Sequence, residues 1–208
     1  MKSFPLLHHS AHRLGLEYHL KQSATLVHGN ILDVGSKNRR YDHLFKGEIT
    51  ACDIVPDPAK NVVRGDIENL PFQTESFDSV VCFEVVEYTN DPIQAANELI
   101  RVCKKGGHIL LSVPFMVSFH DDNLRLTENW FKSNVAPKVT SLRIQPIGNH
   151  YTVIVDIIRR QIIDKKSFLT RVFYYPFLWM LGGPVMKIHR NKVLDQHFAS
   201  GFFLVIEK

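Results

Sequence analysis

Short apolar runs alternate with amphipathic stretches along much of the chain. Strand-like runs occur at NILDV, EITACDI, SVVCF, HILLSVPF, SLRIQPI and GFFLVIEK. Helical character separates most of the earlier runs, and this alternation is typical of a parallel sheet with helices on its faces. The clearest helix follows Asp91-Pro92 and ends at the Lys-Lys-Gly-Gly of 104–107. Its apolar side carries Ile93, Ala96, Leu99, Ile100 and Cys103.

The length of 208 residues suits one α/β domain with its own core. We therefore predict a single domain over 1–208, with a helical segment at 1–28. A break near Gly148 precedes a helical and aromatic insertion, 149–199, that returns to the final strand. With 45% apolar and 22% charged residues, the composition is that of a globular protein and excludes a disordered one.

The formal net charge is +4, but the basic residues are scattered, so no nucleic-acid partner is predicted. Cys52, Cys82 and Cys103 are odd in number and have no metal-type spacing, which predicts reduced core residues in a cytoplasmic protein. The first residues show no apolar run with a cleavage site, so secretion is not expected. For the early histidines we predict a solvated or partner-facing helix rather than a metal site; they are His8, His9 and His12.

The turn after the first strand, ILDVGSKNRRY, keeps only one glycine of a dinucleotide loop. A G-x-G-x-x-G loop needs its second glycine for close backbone approach to a pyrophosphate and its third for helix packing. Here Gly35 is followed by Ser36, Lys37, Asn38, Arg39 and Arg40. A pyrophosphate ligand is therefore disfavoured.

Acidic residues follow several of the predicted strands. Asp53 comes twenty positions after Asp33, where an acidic side chain takes both hydroxyls of a ribose. Asp66 follows at the next turn and Glu84 ends SVVCFE, so these acids should converge at the carboxyl ends of the strands. An acid-lined crevice favours a cationic ligand with an adenosine, and S-adenosylmethionine fits because it has no phosphate.

The series ILDVG, ACDIV, GDIENLPFQTESFDSVVCFEVVEY and DPIQAANELIRVCKKGGHILLSVPF resembles class I S-adenosylmethionine-dependent methyltransferases of the methyltransferase type 11 group, over about residues 28 to 146. The resemblance implies a doubly wound, mostly parallel, seven-stranded Rossmann-like sheet with its last strand antiparallel. It also implies S-adenosylmethionine as cofactor and methyl transfer to a small-molecule acceptor, for which a lipid-linked or saccharide-linked compound is our expectation.

The same resemblance implies roles for individual positions. Those at the methionine part of the cofactor are Asp33, Gly35 and Ser36; those at the ribose and adenine are Asp53, Ile54, Asp66 and Ile67; those closing the pocket are Phe83 and Glu84. For Glu84 the alternative is a surface acid. The family usually has glycine where this chain has Lys37 and Arg39.

On the acceptor side, PFMVSFHDDNLRLTENWF resembles a family segment with a histidine, an acid and an Arg-x-Thr before a helix. His120 is a candidate catalytic base, because an imidazole titrates near neutral pH, and a solvated loop histidine is the alternative. Tyr88 and Arg125 are candidate substrate residues, and Thr127 is the predicted helix cap. Methyl transfer itself needs mainly alignment of donor and acceptor.

The stretch VFYYPFLWMLGGPVM, 172–186, is uncharged, aromatic and too short to span a bilayer comfortably. It lies between Arg171 and Lys187. Four interpretations stay open, namely peripheral contact with a membrane surface, a cover over a hydrophobic acceptor, a homodimer face, and a core-capping lid.

Besides methyl transfer, two other functions of the protein stay open. One is a cofactor-binding protein that no longer catalyses, and the other is an NAD(P)-dependent dehydrogenase, which shares the Asp33 to Asp53 spacing.

Overall fold

The computed structural model describes residues 9–117, 122–164 and 198–208. Two predicted features, the His120 base and the aromatic stretch 172–186, lie outside the described residues. Within them the chain forms four α-helices and seven strands. The helices are α1 (Ala11–Ser23), α2 (Pro92–Val102), α3 (Glu128–Asn134) and α4 (His150–Asp164). The strands are β1 (His28–Val34), β2 (Lys46–Asp53), β3 (Val62–Arg64), β4 (Phe77–Phe83), β5 (Cys103–Pro114), β6 (Ser141–Ile147) and β7 (Gly201–Glu207).

The strands form one sheet in the order β3-β2-β1-β4-β5-β7-β6. Strands β1 to β5 pair in parallel. Strand β7 runs against both neighbours: its end meets the start of β5 through the hydrogen bond from Gly106 N to Lys208 O (2.7 Å). On its other side, Thr140 N, just before β6, donates to Glu207 O (2.9 Å). The predicted seven-stranded sheet with an antiparallel last strand is confirmed.

Three details of the sequence prediction were wrong. Strand β3 is only three residues long and too short to show a hydrophobic period, so it was missed. Helix α2 ends at Val102, and the Lys-Lys-Gly-Gly that was expected to terminate it lies inside β5, which Cys103 begins. Ile93, assigned to the apolar face of this helix, is 42% exposed, whereas Ala95 is buried. The start of α2 is as expected: Asp91 caps it by accepting from Ile93 N and Gln94 N.

The chain divides into two compact units, of which the larger contains the sheet core. This unit comprises Leu20–Pro114, Asp121–Gln145 and Phe202–Lys208. Strands β1, β4 and β5 are apolar on both faces, as expected for central parallel strands. Their fully buried side chains include Ile31, Leu32, Val80, Ile109 and Leu110. Cys52, Cys82 and Cys103 are free thiols buried in this unit, in agreement with the prediction of reduced core residues.

The second unit comprises Met1–His19, Phe115–His120 and Pro146–Gly201. Within it, Asp156 of α4 accepts hydrogen bonds from the first backbone N–H groups of α1, Ala11 N (2.6 Å) and His12 N (2.8 Å). The His12 Nδ1 atom lies 2.9 Å from Ser200 Oγ, and the ring is buried. The expectation of a solvated or partner-facing His12 was therefore wrong, because the His12 side chain is buried inside the second unit, beside Ser200.

Candidate functional site

The turn after β1 is built around Gly35. Its backbone has φ of 76°, a left-handed conformation that glycine adopts without strain. The Gly35 N–H donates to Cys52 O at the end of β2 (2.8 Å), and Ser36 N–H donates to the same carbonyl (3.1 Å). A Cβ atom at position 35 would overlap Val85 Cγ2. Both the backbone angle and the close approach to the turn after β4 therefore require glycine here.

Asp33 lies beneath this turn, near the end of β1. Only 5% of the residue is exposed, and the Ser36 hydroxyl donates a hydrogen bond to its Oδ2 atom. Burial, with a smaller contribution from the nearby Asp42 charge, raises the pKa of Asp33 to about 7, although the Ser36 hydrogen bond and Arg39 oppose the shift. Asp33 thus stabilises the turn through its hydrogen bond with Ser36, and it holds a proton more readily than an exposed aspartate.

An open cavity of about 180 Å³ lies at the carboxyl ends of β1, β2 and β4. Open parallel sheets bind ligands at this edge. The described residues that line it are Val34, Gly35, Asp53, Ile54, Gly65, Asp66, Ile67, Glu68, Val85, Tyr88, Thr89 and Asn90. These include three acids and no basic side chain. The cavity is thus suited to a cationic or hydroxylated ligand and poorly suited to a phosphate.

Two of the lining acids are oriented by the backbone that follows them. Asp53 Oδ1 accepts a hydrogen bond from Val55 N (2.9 Å) at the end of β2. Asp66 Oδ1 accepts from Glu68 N (2.9 Å), and both are the local turns that short acidic side chains form. Ile54 is 63% exposed and Ile67 is buried. The cavity therefore pairs oriented carboxylates with aliphatic side chains.

Several predicted site residues lie around the cavity rather than on its surface. Ser36 is buried against Asp33. Phe83 packs edge-on against Tyr41, with ring centroids 5.5 Å apart. Glu84 has φ of 59°, and its Oε1 atom accepts from Ser112 Oγ of β5 (2.7 Å). Glu84 therefore links the ends of β4 and β5 and is not a free surface acid.

Sequence reasoning assigned no role to Glu87. The residue is 1% exposed, and among the described residues its Oε2 atom has no hydrogen-bond partner. Burial and the charges of Glu84 and Asp122 raise the pKa of Glu87 to about 9, and the Arg125 charge opposes the shift. At neutral pH this side chain is therefore a neutral carboxylic acid. An acid inside the apolar run EVVEY was the available signal.

The backbone carbonyl of Glu87 holds the loop that follows β5. It accepts hydrogen bonds from Asn123 N (2.9 Å) and Leu124 N (3.0 Å), and Asn123 Nδ2 donates to Tyr88 O (2.9 Å). Tyr88 is 46% exposed and lines the cavity. The segment from 122 onward is thus fixed beside the cavity wall.

Arg125 is engaged within this loop. Its Nε atom lies 2.8 Å from Asp122 Oδ2, and the Asp122 side chain is only 2% exposed. Thr127 caps α3 as predicted, by accepting from Trp130 N (3.2 Å).

Among the residues that the structure describes, no cluster of His, Cys, Asp or Glu is arranged to hold a metal ion. The described helices include none with the length and apolar character needed to cross a membrane.

Comparison with known proteins agrees with this arrangement. Residues 32–111, which contain the turn at Gly35, Asp53, Asp66 and the Glu87 turn, match the family model described as "Methyltransferase domain". Over these residues the chain is similar to class I S-adenosylmethionine-dependent methyltransferase domains. S-adenosylmethionine is accordingly its cofactor, and the acid-lined cavity without basic side chains fits this ligand better than a pyrophosphate-bearing dinucleotide. The dehydrogenase alternative is set aside.

Individual relatives match parts of this methyltransferase domain. The 2-methyl-6-phytyl-1,4-hydroquinone methyltransferase 1 of Oryza sativa is 39% identical over 59 residues, which are 28% of this chain and 18% of that protein. The ubiquinone/menaquinone biosynthesis C-methyltransferase UbiE of Pasteurella multocida is 25% identical over 137 residues, 63% of this chain and 49% of that protein. The chain therefore matches less than half the length of either relative.

A solved structure matches the fold over most of the chain. The [4+2]-cyclase SpnF superposes with a TM-score of 0.61 and 16% identity, covering 95% of this chain and 81% of that chain. At this identity the likeness concerns the fold alone. It supports the Rossmann-like architecture of the methyltransferase domain and says nothing of the acceptor.

Proposed function

We propose that this protein transfers the methyl group of S-adenosylmethionine to a small-molecule acceptor. The observation that carries the proposal is the cavity at the carboxyl edge of the sheet, where Asp53 ends β2 beside the bare backbone of Gly35. The described residues that line this site offer an acceptor for a ribose diol and no cation for a phosphate. Both features suit a sulphonium nucleoside.

Each part of the cofactor has a candidate partner. Asp53 would accept hydrogen bonds from the ribose hydroxyls, because its carboxylate is oriented by Val55 N. Ile54 and Ile67 would flank the adenine, with Asp66 at its edge. The turn that Asp33 supports, together with Glu84, would receive the methionine part.

The acceptor would approach from the loop after β5. Hydrogen bonds hold Asn123 and Leu124 against the backbone of Glu87 and Tyr88 beside the cavity, and His120 comes three positions before Asn123 in the sequence. The sulphonium activates its own methyl carbon, and the protein's main contribution is alignment. We assign His120 as the candidate group that takes the proton of a hydroxyl or amine acceptor. Tyr88 and Arg125 would line and position this side.

A hydrophobic acceptor is the class that we favour. The two relatives above act, by their names, on a phytyl-substituted hydroquinone and in quinone biosynthesis. The aromatic stretch 172–186 of this chain is a suitable cover for such a molecule. A saccharide-linked lipid belongs to the same class, since it too joins an apolar tail to a polar head.

Methyl incorporation tests the proposal directly. The protein is incubated with S-adenosylmethionine tritiated in its methyl group and with either a total lipid extract or an aqueous metabolite extract of bacterial cells. We expect label in an organic-soluble product from the lipid extract, and loss of that label in Asp53→Ala. Label only in an aqueous product would replace the hydrophobic acceptor with a soluble metabolite.

A second candidate is a cofactor-binding protein without methyl transfer. The loop after β1 lacks the usual glycines at Lys37 and Arg39, and the SpnF match shows that this fold also occurs in a protein named as a cyclase. Tight binding of S-adenosylhomocysteine with no label in either extract would favour this alternative. Label in any extract would exclude it.

A further inference from the structure

Arg39 occupies a backbone conformation that normally belongs to glycine. Its φ is 47°, in the left-handed region that side chains with a Cβ atom rarely adopt. The resemblance to the methyltransferase type 11 group places a glycine at this position. The chain therefore keeps the turn of a glycine loop while using an arginine to make it, so some interaction of the side chain must offset the strain.

The guanidinium of Arg39 connects two loops of the cofactor edge. Its Nε atom donates to Asp42 Oδ2 (2.7 Å), within the segment that follows β1. Its Nη1 atom donates to the backbone carbonyls of Lys60 (3.1 Å) and Asn61 (3.4 Å), in the turn between β2 and β3. One planar side chain thus holds both segments.

Both connected segments lead directly into the cavity. The first contains the Gly35 and Ser36 turn, and the second follows Asp53 and Ile54 at the end of β2. The second turn is itself closed by two backbone hydrogen bonds between Asp57 and Val62 (3.0 Å each) and by the ion pair of Lys60 with Asp57 (3.0 Å). Displacement of one segment against the other would change the width of the cavity between Gly35 and Asp53.

The partner of Arg39 strengthens this link. Asp42 Oδ1 is buried and has no hydrogen-bond partner among the described residues, so pairing of Oδ2 with Arg39 offsets the burial of a charge. The Arg39 side chain is 25% exposed, so this pair is shielded from solvent in part. A partly buried, forked contact of this kind orders loops better than an exposed ion pair.

We propose that Arg39 is a positioning residue for the cofactor, which holds the turn after β1 and the turn after β2 at the spacing that S-adenosylmethionine requires. Arg39 thus has this role at a position where the resemblance implies a glycine. The inference rests on the assigned cofactor and does not depend on which acceptor is methylated or on whether methyl transfer occurs.

Isothermal titration with S-adenosylhomocysteine tests this role in the full chain. Arg39→Gly and Arg39→Asn both suit a left-handed backbone and remove the guanidinium. We expect the dissociation constant to rise on the order of tenfold in each, with the urea midpoint of unfolding close to that of the wild type. Arg39→Lys, which keeps the charge but loses the fork, should recover only part of the affinity.

The matched control is Glu75→Gly, which removes another left-handed side chain (φ 55°) that lies outside the cavity lining. It should leave affinity unchanged. Wild-type affinity in Arg39→Gly and Arg39→Asn would overturn the inference, and so would a fall in stability parallel to the fall in affinity, which would make Arg39 a general structural residue. Absence of binding by the wild type would overturn the cofactor assignment and this inference with it.

Discussion

Gly35 and Val85 approach each other so closely that a Cβ on the glycine would overlap Val85 Cγ2. The two residues belong to the turns after β1 and β4, and both line the cavity. This contact explains why one glycine of the loop is present although others are replaced. Gly35 serves the packing of two turns that border the ligand.

Gly35→Ala should therefore destabilise the protein and weaken its cofactor site. The left-handed backbone alone costs about 1–2 kcal/mol for a residue with a Cβ, and forcing Val85 aside adds about 1–3 kcal/mol. Gly106→Ala is the matched control, because Gly106 has a similar φ of 72° and nothing lies within 4 Å of the point that a Cβ would occupy there. Urea unfolding measures both. When Val85→Ala is added to Gly35→Ala, the double variant should recover part of the lost free energy of unfolding. Equal losses in Gly35→Ala and Gly106→Ala would show that the Val85 contact is unimportant.

Asp53→Ala should weaken binding of S-adenosylhomocysteine while the protein stays folded. A ribose diol that loses a charged acceptor loses about 1.5–3 kcal/mol, roughly tenfold or more in affinity. The control is Glu48→Ala, which removes an exposed acid from the same strand, β2, away from the cavity. Isothermal titration of both variants decides the matter. Unchanged affinity in a folded Asp53→Ala protein would place the ribose elsewhere.

The fold was predictable from sequence because its strands are apolar runs with clear boundaries. Runs such as NILDV and HILLSVPF are long enough to be recognised, and the resemblance supplied the order and the antiparallel last strand. Strand β3 was not predictable, since three residues carry no period. The end of α2 was misplaced because Lys-Lys-Gly-Gly is a typical helix terminator, but here hydrogen bonds to β7, such as Gly106 N to Lys208 O, place these residues in β5.

The site was predictable only in part, for a similar reason. Strand-end acids such as Asp53 and Asp66 follow from the topology of a parallel sheet, and both line the cavity. The burial of Glu87 does not follow from its neighbours in sequence, because the loop at 122–124 that covers its backbone is 35 or more positions away. The role of Arg39 likewise depends on the carbonyls of Lys60 and Asn61, which sequence spacing does not reveal.

Glu87 should make the ligand-free protein progressively less stable as the pH rises from about 5 to about 9. Its pKa is about 9 in the folded state against 4.5 ordinarily, so between these values the folded chain holds a proton that the unfolded chain has released. The free energy of unfolding from this group therefore falls as pH rises from about 5 to about 9 and is constant outside that window. Glu87→Gln, which mimics the neutral acid, should remove this decline.

Urea unfolding at pH 5, 7 and 9 checks this. We expect the difference in unfolding free energy, Glu87→Gln minus wild type, to increase at each step. Glu98→Gln serves as the opposite case, because the Arg101 hydrogen bond lowers the pKa of Glu98 and its charge is needed in the folded state. A constant difference for Glu87→Gln across the three pH values would mean that Glu87 is ionised in the folded protein.

Membrane contact through 168–187 stays a prediction, since these residues lie outside the described part of the chain. We expect the protein to float with anionic liposomes at low salt, because an aromatic stretch next to Arg171 and Lys187 suits an interface. Deletion of 168–187 should abolish flotation and preserve binding of S-adenosylhomocysteine. Wild-type protein that stays in the soluble fraction would make the stretch a lid or a dimer face.

A crystal structure with S-adenosylhomocysteine tests the central claim most directly. We predict electron density for the ligand in the cavity at the carboxyl ends of β1, β2 and β4, with both ribose hydroxyls within hydrogen-bond distance of the Asp53 carboxylate. The adenine should lie between Ile54 and Ile67, and the homocysteine part should follow the Gly35 turn. Density for the ligand at any other place, or an empty cavity at saturating ligand, would contradict the account.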